Sequence, residues 1–160
     1  MKIVFVYPRF NKYLDDVPEE LRSVAQPIIG EFTTPPSLGI PILSALTPDE
    51  HEIEVVDDNR GDDVDFGVEA DLVAINCFTP QATRAFALAD GYRAAGHTVI
   101  MGGIFPTAVH RECLDHADSV NIGEGERTWP RILADAAAGR LEPVYRGGAR
   151  LDLDELPIPR

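Results

Sequence analysis

Residues 71–107, DLVAINCFTPQATRAFALADGYRAAGHTVIMGGIFPT, decide the fold. They open on an apolar run, Asp71–Cys77, pass through a helical pattern, and close on a second apolar run, His97–Met101. Between the runs, Ala82, Ala85, Phe86, Ala89 and Tyr92 recur at helical spacing, with Thr79-Pro80 as a start signal and Gly96 as a stop. Strand, helix and strand within so short a span form a crossover unit. Such a unit joins parallel strands and predicts a sheet covered by helices on both faces.

The pattern continues outward in both directions. Lys2–Tyr7 (KIVFVY), Glu52–Asp57 (EIEVVD) and Ser119–Ile122 (SVNI) are further short runs rich in Val and Ile. Pro35-Pro36 announces a helix over Ser37–Leu46. After the fifth run, Glu126–Ala138 places Trp129, Ile132, Leu133 and Ala136 on one face and stops at Gly139. Sequential strands with right-handed crossovers predict an α/β, flavodoxin-like (Rossmann-like) parallel sheet of five strands in the order 2-1-3-4-5. Residues 1–150 read as one domain, interrupted by a long connection at 8–34 with a short helix over Pro18–Ala25. Residues 151–160, alternating acidic and apolar and ending on two prolines, read as a linker.

Composition narrows the partners. The 160 residues carry 14 basic and 27 acidic side chains, a formal charge of 14 − 27 = −13, and 44% are hydrophobic, enough for one real core. An acidic chain repels phosphate, so neither a nucleic-acid nor a membrane partner is expected. Two cysteines, Cys77 and Cys113, cannot build a disulfide framework or a four-thiolate metal site. A strand starts at the initiator methionine without an apolar leader, and no apolar run nears the ~20 residues that cross a bilayer. A cytoplasmic protein is expected.

In a parallel sheet of this kind, ligands bind at the carboxyl ends of the strands. That rim gathers Tyr7–Arg9, Cys77–Thr79, Gly102–Thr107 and Gly123–Glu126. A phosphoreceiver is excluded, because no acidic cluster follows the first strand and the only lysines are Lys2 and Lys12. A dinucleotide fingerprint is excluded too, because the glycines follow the fourth and fifth strands instead of the first. Two glycine turns adjacent on one rim, Gly102-Gly103 and Gly123-Glu124-Gly125, favour a platform for a bulky ligand over tight turns alone. Glu126 is explained by capping, whereas Glu124, between two glycines, is the better ligand contact. His110, Cys113 and His116 spread over more than one helix face, and Asp57-Asp58 reads as a solvated turn off the crevice. No nucleophile arrangement and no metal set are expected, so no catalytic residue is assigned.

Taken in order, TTPPSLGIPILSALT (33–47), residues 75–107 of the stretch quoted above, NIGEGERTWPRILADAAAGRLEPVYRG (121–147) and LDELPIPR (153–160) resemble a known module. It is the N-terminal cobalamin-binding domain of the cobalamin-dependent radical S-adenosylmethionine enzymes, a family of methyltransferases and a ring cyclase. The resemblance implies a corrin over the carboxyl rim and a nucleotide tail entering beside strands 3 and 4. By position the cofactor-binding candidates are Tyr7, Ser37, Leu38, Gly39, Cys77, Thr79, Gly102, Gly103, Thr107, Gly123, Glu124 and Gly125. The histidine motif that ligates cobalt in methionine-synthase-like modules is absent, which implies cobalamin without a histidine lower ligand. Also absent is the C-x-x-x-C-x-x-C run that holds the family's four-iron cluster. S-adenosylmethionine and that cluster are therefore expected only in a separate radical domain, in cis beyond the linker or in trans. The alternatives are an interaction or regulatory domain that keeps the fold without cobalamin, and a small flavin-type redox protein, which the lack of a Ser/Thr-rich phosphate loop disfavours.

Overall fold

The computed structural model describes residues 1–10, 18–21, 23–24, 37–60, 62–148, 151–152, 154 and 156–159. Among them, strands β1 (Lys2–Tyr7), β2 (Glu52–Asp57), β3 (Leu72–Asn76), β4 (Val99–Gly102), β5 (Ser119–Ile122) and β6 (Val144–Arg146) form one parallel sheet in the order 2-1-3-4-5-6. The helices are α1 (Gly39–Leu46), α2 (Ala82–Ala94), α3 (Ile104–His116) and α4 (Gly125–Ala137). In the connection at 8–34, residues 19–21 and 23–24 are helical. Pro35-Pro36 lies outside the described residues.

β1 is flanked by β2 and β3, with Phe5 in register with Val55 on one side and Ala74 on the other. Because side chains alternate along a strand, each interior strand divides between two cores. One holds Val4, Val6, Val73, Ile75, Val99 and Met101 under Leu88, Ala89 and Tyr92 of α2 and Cys113 of α3. The other holds Ile3, Phe5, Tyr7, Leu72, Ala74 and Ile100 under Ile40 of α1 and Trp129, Ile132 and Leu133 of α4. Period-2 strands and 3.6-period helices thus meet at two apolar layers, which is what the runs of Val and Ile require.

The expectation of five strands is overturned by β6, which pairs with β5 through Val120–Val144, Asn121–Tyr145 and Ile122–Arg146. Its three residues are half-buried, buried and exposed in turn, so no apolar run marks it. Besides that pairing one side chain anchors it: buried Tyr145 donates its hydroxyl to Asp135 of α4 at 2.9 Å and accepts the Glu142 N–H at 3.0 Å. Topology hides it as well. β6 continues outward from β5 while α4 lies on the α1 face, so this crossover has the opposite hand to the helical crossovers before it.

The Asp57-Asp58 turn is structural. Asp58 accepts two hydrogen bonds from the Arg84 guanidinium, at 2.8 and 3.1 Å, and one from the Arg9 N–H at 3.0 Å. Burial pushes its pKa up, but Arg84 and the Arg9 N–H outweigh that and leave it below the ordinary carboxylate value. No helix among the described residues is long and apolar enough to cross a membrane.

Candidate functional site

The site grows out of the strand alternation. On the face covered by α1 and α4, the carboxyl halves of the central strands carry small or polar side chains, Ala74 and Asn76 on β3 and Gly102 on β4, beyond the large Ile100. The two helices above are held together by a buried hydrogen bond, in which the Trp129 indole N–H donates to the Thr47 hydroxyl at 2.8 Å. Large side chains elsewhere on this face fill the space under the helices. Above Ala74 and Gly102 they do not, and a cavity of about 470 Å³ opens between α1, α4 and the sheet.

Its depth is apolar, lined by buried Phe5, Ile40, Ala74, Ile100, Trp129 and Ile132. Its mouth is formed by the strand-to-helix turns, with Leu38 and Ile104 standing 65% and 64% exposed as apolar lips. An apolar slot of this size with a few polar groups at its opening is the form of a small-molecule site. No histidine lines it among the described residues, and no cluster of metal ligands is found among them.

The polar residues of the mouth are mostly occupied in building it. The Ser37 hydroxyl accepts from the Asn76 side-chain amide at 3.0 Å and from the Gly39 N–H at 3.2 Å, tying the entry of α1 to the end of β3. Thr107 donates to the Gly103 carbonyl at 2.8 Å and accepts the Gly123 N–H at 3.0 Å, so one hydroxyl joins the two glycine turns. Asn121 donates to the Gly123 carbonyl at 3.1 Å and accepts from the Thr128 hydroxyl at 2.6 Å. Gly103 is demanded by the protein's own packing. Its φ is +105°, and a Cβ there would lie 2.7 Å from Asn76 Oδ1 and 2.9 Å from the Cys77 carbonyl.

Of the sequence-derived candidates, Ser37, Leu38, Gly39, Gly102, Gly103, Thr107, Gly123, Glu124 and Gly125 line the cavity. Tyr7, Cys77 and Thr79 do not. Tyr7 stands beside it, its ring edge-on to Phe10 at 6.1 Å and Phe78 at 6.5 Å. Its buried hydroxyl, near Gln81 and the Ser37 backbone, makes no hydrogen bond of good geometry among the described residues, and burial, reinforced by Asp57, pushes its pKa up. Cys77 belongs to the core on the opposite face, where burial and the neighbouring Cys113 push its thiol up to about 12. Its Sγ–H is turned to the Phe78 carbonyl at 3.2 Å, so it offers no thiolate. Thr79 is exposed and opens the single turn Thr79–Gln81 ahead of α2.

Sequence reasoning missed Asn76 and Asn121. The signal was there: each is a polar side chain near the carboxyl end of a mostly apolar buried strand, LVAIN and SVNI, on the face that bears the cavity. Such residues are retained in a core only with hydrogen-bond partners, and both have them. Phe78, Leu43 and Trp129 also enter the lining.

No family model matches the chain. It is similar to the bacteriochlorophyllide d C-8(2)-methyltransferase of Chlorobaculum tepidum, 36% identical over 108 residues, covering 68% of this chain and 24% of that protein. The bacteriochlorophyllide d C-12(1)-methyltransferase of the same organism is 31% identical over 111 residues, again 68% of this chain and 24% of the relative. An uncharacterized methyltransferase of Synechocystis is 26% identical over 162 residues, covering 100% of this chain and 29% of its own length. The chain's homologues are methyltransferases, and it spans about a quarter of their length.

Proposed function

We propose that this chain is the cobalamin-binding module of a radical S-adenosylmethionine methyltransferase, presenting a corrin at the carboxyl rim of the sheet to a separate radical domain. The observation that carries the reading is the cavity itself: an apolar slot beside β3 and β4, opening between two glycine turns. Its volume suits a nucleotide-sized group and not a whole corrinoid, which matches a tail inside the slot and a macrocycle outside it. The methyltransferase relatives support the same assignment.

The residues present fit that ligand. Phe5, Ile100, Trp129 and Ile132 offer a dry wall to a planar aromatic base, and Ala74 and Gly102 leave its depth open. At the mouth, Asn76 and Asn121 lie where side-chain amides can meet the polar periphery of a ligand, and exposed Glu124 is held between the glycines. Leu38 and Ile104 give the rim an apolar surface on which a flat ligand can lie. When bound, cobalamin supplies a cobalt centre that carries a methyl group. This chain's part is to bind and orient it and to exclude water from its buried end. No lining residue among those described offers an imidazole to the metal.

The test is a hydroxocobalamin titration of the chain, with Trp129 fluorescence reporting the slot and the visible spectrum reporting the corrin after desalting. Retained corrin with a base-off spectrum and a quenched Trp129 is expected. A histidine-ligated spectrum, or no retention by either the chain or its full-length parent, overturns the proposal; uptake of flavin in its place identifies the redox alternative.

A further inference from the structure

The loop Gly123–Gly125 forms one side of the cavity mouth, yet its own residues provide little to hold it, since two of three lack a side chain. The adjoining strand and helix hold its carbonyls, Asn121 on Gly123 at 3.1 Å and Thr128 on Gly125 at 3.0 Å, and two contacts from more distant elements fix its flanks. On the β4 side, the Thr107 hydroxyl accepts the Gly123 N–H while donating to Gly103. On the β6 side, buried Gly147 donates its N–H to the Ile122 carbonyl at 2.8 Å, and its α-carbon faces the backbone of Glu124. A Cβ on Gly147 would lie 2.6 Å from the Glu124 nitrogen and nearer still to its carbonyl oxygen. Both are backbone atoms, which cannot swing aside as a flexible side chain does.

We infer that Gly147 and Thr107 are positioning residues that clamp the Gly123–Gly125 loop from opposite sides, so that ligand entry depends on the short sixth strand. The strand thereby has a role that its three residues do not suggest. It carries Tyr145, anchored on Asp135, and the chain leaving it brings Gly147 against the loop at a distance only glycine permits. Thr107 acts through the loop as well, its hydroxyl being used on both sides by the backbone. The inference deepens the proposed cobalamin site and, for its affinity readout, rests on that reading.

The experiment compares the whole chain with Gly147→Ala, Thr107→Val and Thr107→Ser. Hydrogen exchange of peptides covering 121–127 is read without ligand, and hydroxocobalamin affinity is read separately. Gly147→Ala is expected to speed exchange of the Glu124 and Gly125 amides and to weaken hydroxocobalamin about tenfold or more, with peptides from β1 and β3 unchanged. Thr107→Val is expected to act in the same direction and more weakly, whereas Thr107→Ser, which keeps the hydroxyl, restores the wild-type exchange. Unchanged loop exchange in Gly147→Ala, or a serine variant that behaves like the valine variant, overturns the inference. Should Gly147→Ala fail to fold, the Thr107 pair decides by the same exchange readout. If neither wild type nor its full-length parent takes up hydroxocobalamin while the exchange pattern follows expectation, the cobalamin reading fails and the clamp stands.

Discussion

The two faces of the sheet are built from the same strands, yet one is filled and the other holds a slot. Under α2 and α3, every central strand presents a full-sized aliphatic or Met side chain near its carboxyl half, Val6, Ile75 and Met101, and helix residues such as Leu88 and Tyr92 close over them. Under α1 and α4, β1 still presents Phe5 and Tyr7, but the same stretches of β3 and β4 present Ala74, Asn76 and Gly102, and the helices bridge the gap through the Trp129–Thr47 hydrogen bond without filling it. Alternation therefore lets one chain keep a filled layer on one side and an open slot on the other. A residue's face, more than its hydrophobicity, decides which task it serves.

The largest effect expected from breaking this comparison lies on the filled face. Leu88→Ala removes a fully buried side chain from a packed layer and should destabilise the chain by about 3 kcal/mol, read as a lower urea midpoint. Hydroxocobalamin retention should survive under conditions where the variant is folded. A loss below about 1 kcal/mol would mean that the two faces are equally loose.

Next comes the bridge over the slot. Thr47→Val leaves the buried indole N–H of Trp129 without its acceptor and should cost about 2 kcal/mol. It should also change the Trp129 emission, because the slot wall moves with α1. Stability falling with the emission unchanged would place Thr47 in packing alone.

A smaller effect sharpens the comparison at the β2 end of the rim. Asp58 has a folded pKa below the ordinary carboxylate value, so its contribution is fully present above that value and is lost as pH falls through the folded pKa. Arg84→Gln should lower stability by about 1 kcal/mol at neutral pH, and the difference from wild type should shrink on acidification. Unfolding curves at pH 7 and in the acid range measure it. A difference independent of pH would assign Arg84 a packing role instead.

Much of this was legible in the sequence. Runs such as KIVFVY and LVAIN are apolar because both faces of their strands are buried, so the strands and their order through β5 could be placed from pattern alone. The carboxyl rim followed from the topology, and with it the glycine turns that line the cavity. β6 was not legible, since a strand of three residues, half-buried, buried and exposed in turn, leaves no periodicity, and its crossover takes the rarer hand. Thr107 is a contact by the family resemblance and its place on the rim, whereas in the structure the backbone uses both its donor and its acceptor. Cys77 misled for a related reason: one residue past Asn76, it falls on the opposite face.

The distinction between Gly102 and Gly103 gives the most direct test of the central claim that the slot binds the cofactor's tail. Substitution at Gly103 strains its positive φ and strikes Asn76, so it tests folding. A Cβ at Gly102 meets only the Asn121 Cβ at 3.8 Å, an ordinary contact, and the side chain grows into the slot. The measurement is hydroxocobalamin retention by wild type and Gly102→Val, with urea unfolding of both. The account predicts corrin retained by wild type, at least about tenfold weaker binding by Gly102→Val, and stabilities within about 1.5 kcal/mol of each other. Equal retention by the two folded proteins would contradict it.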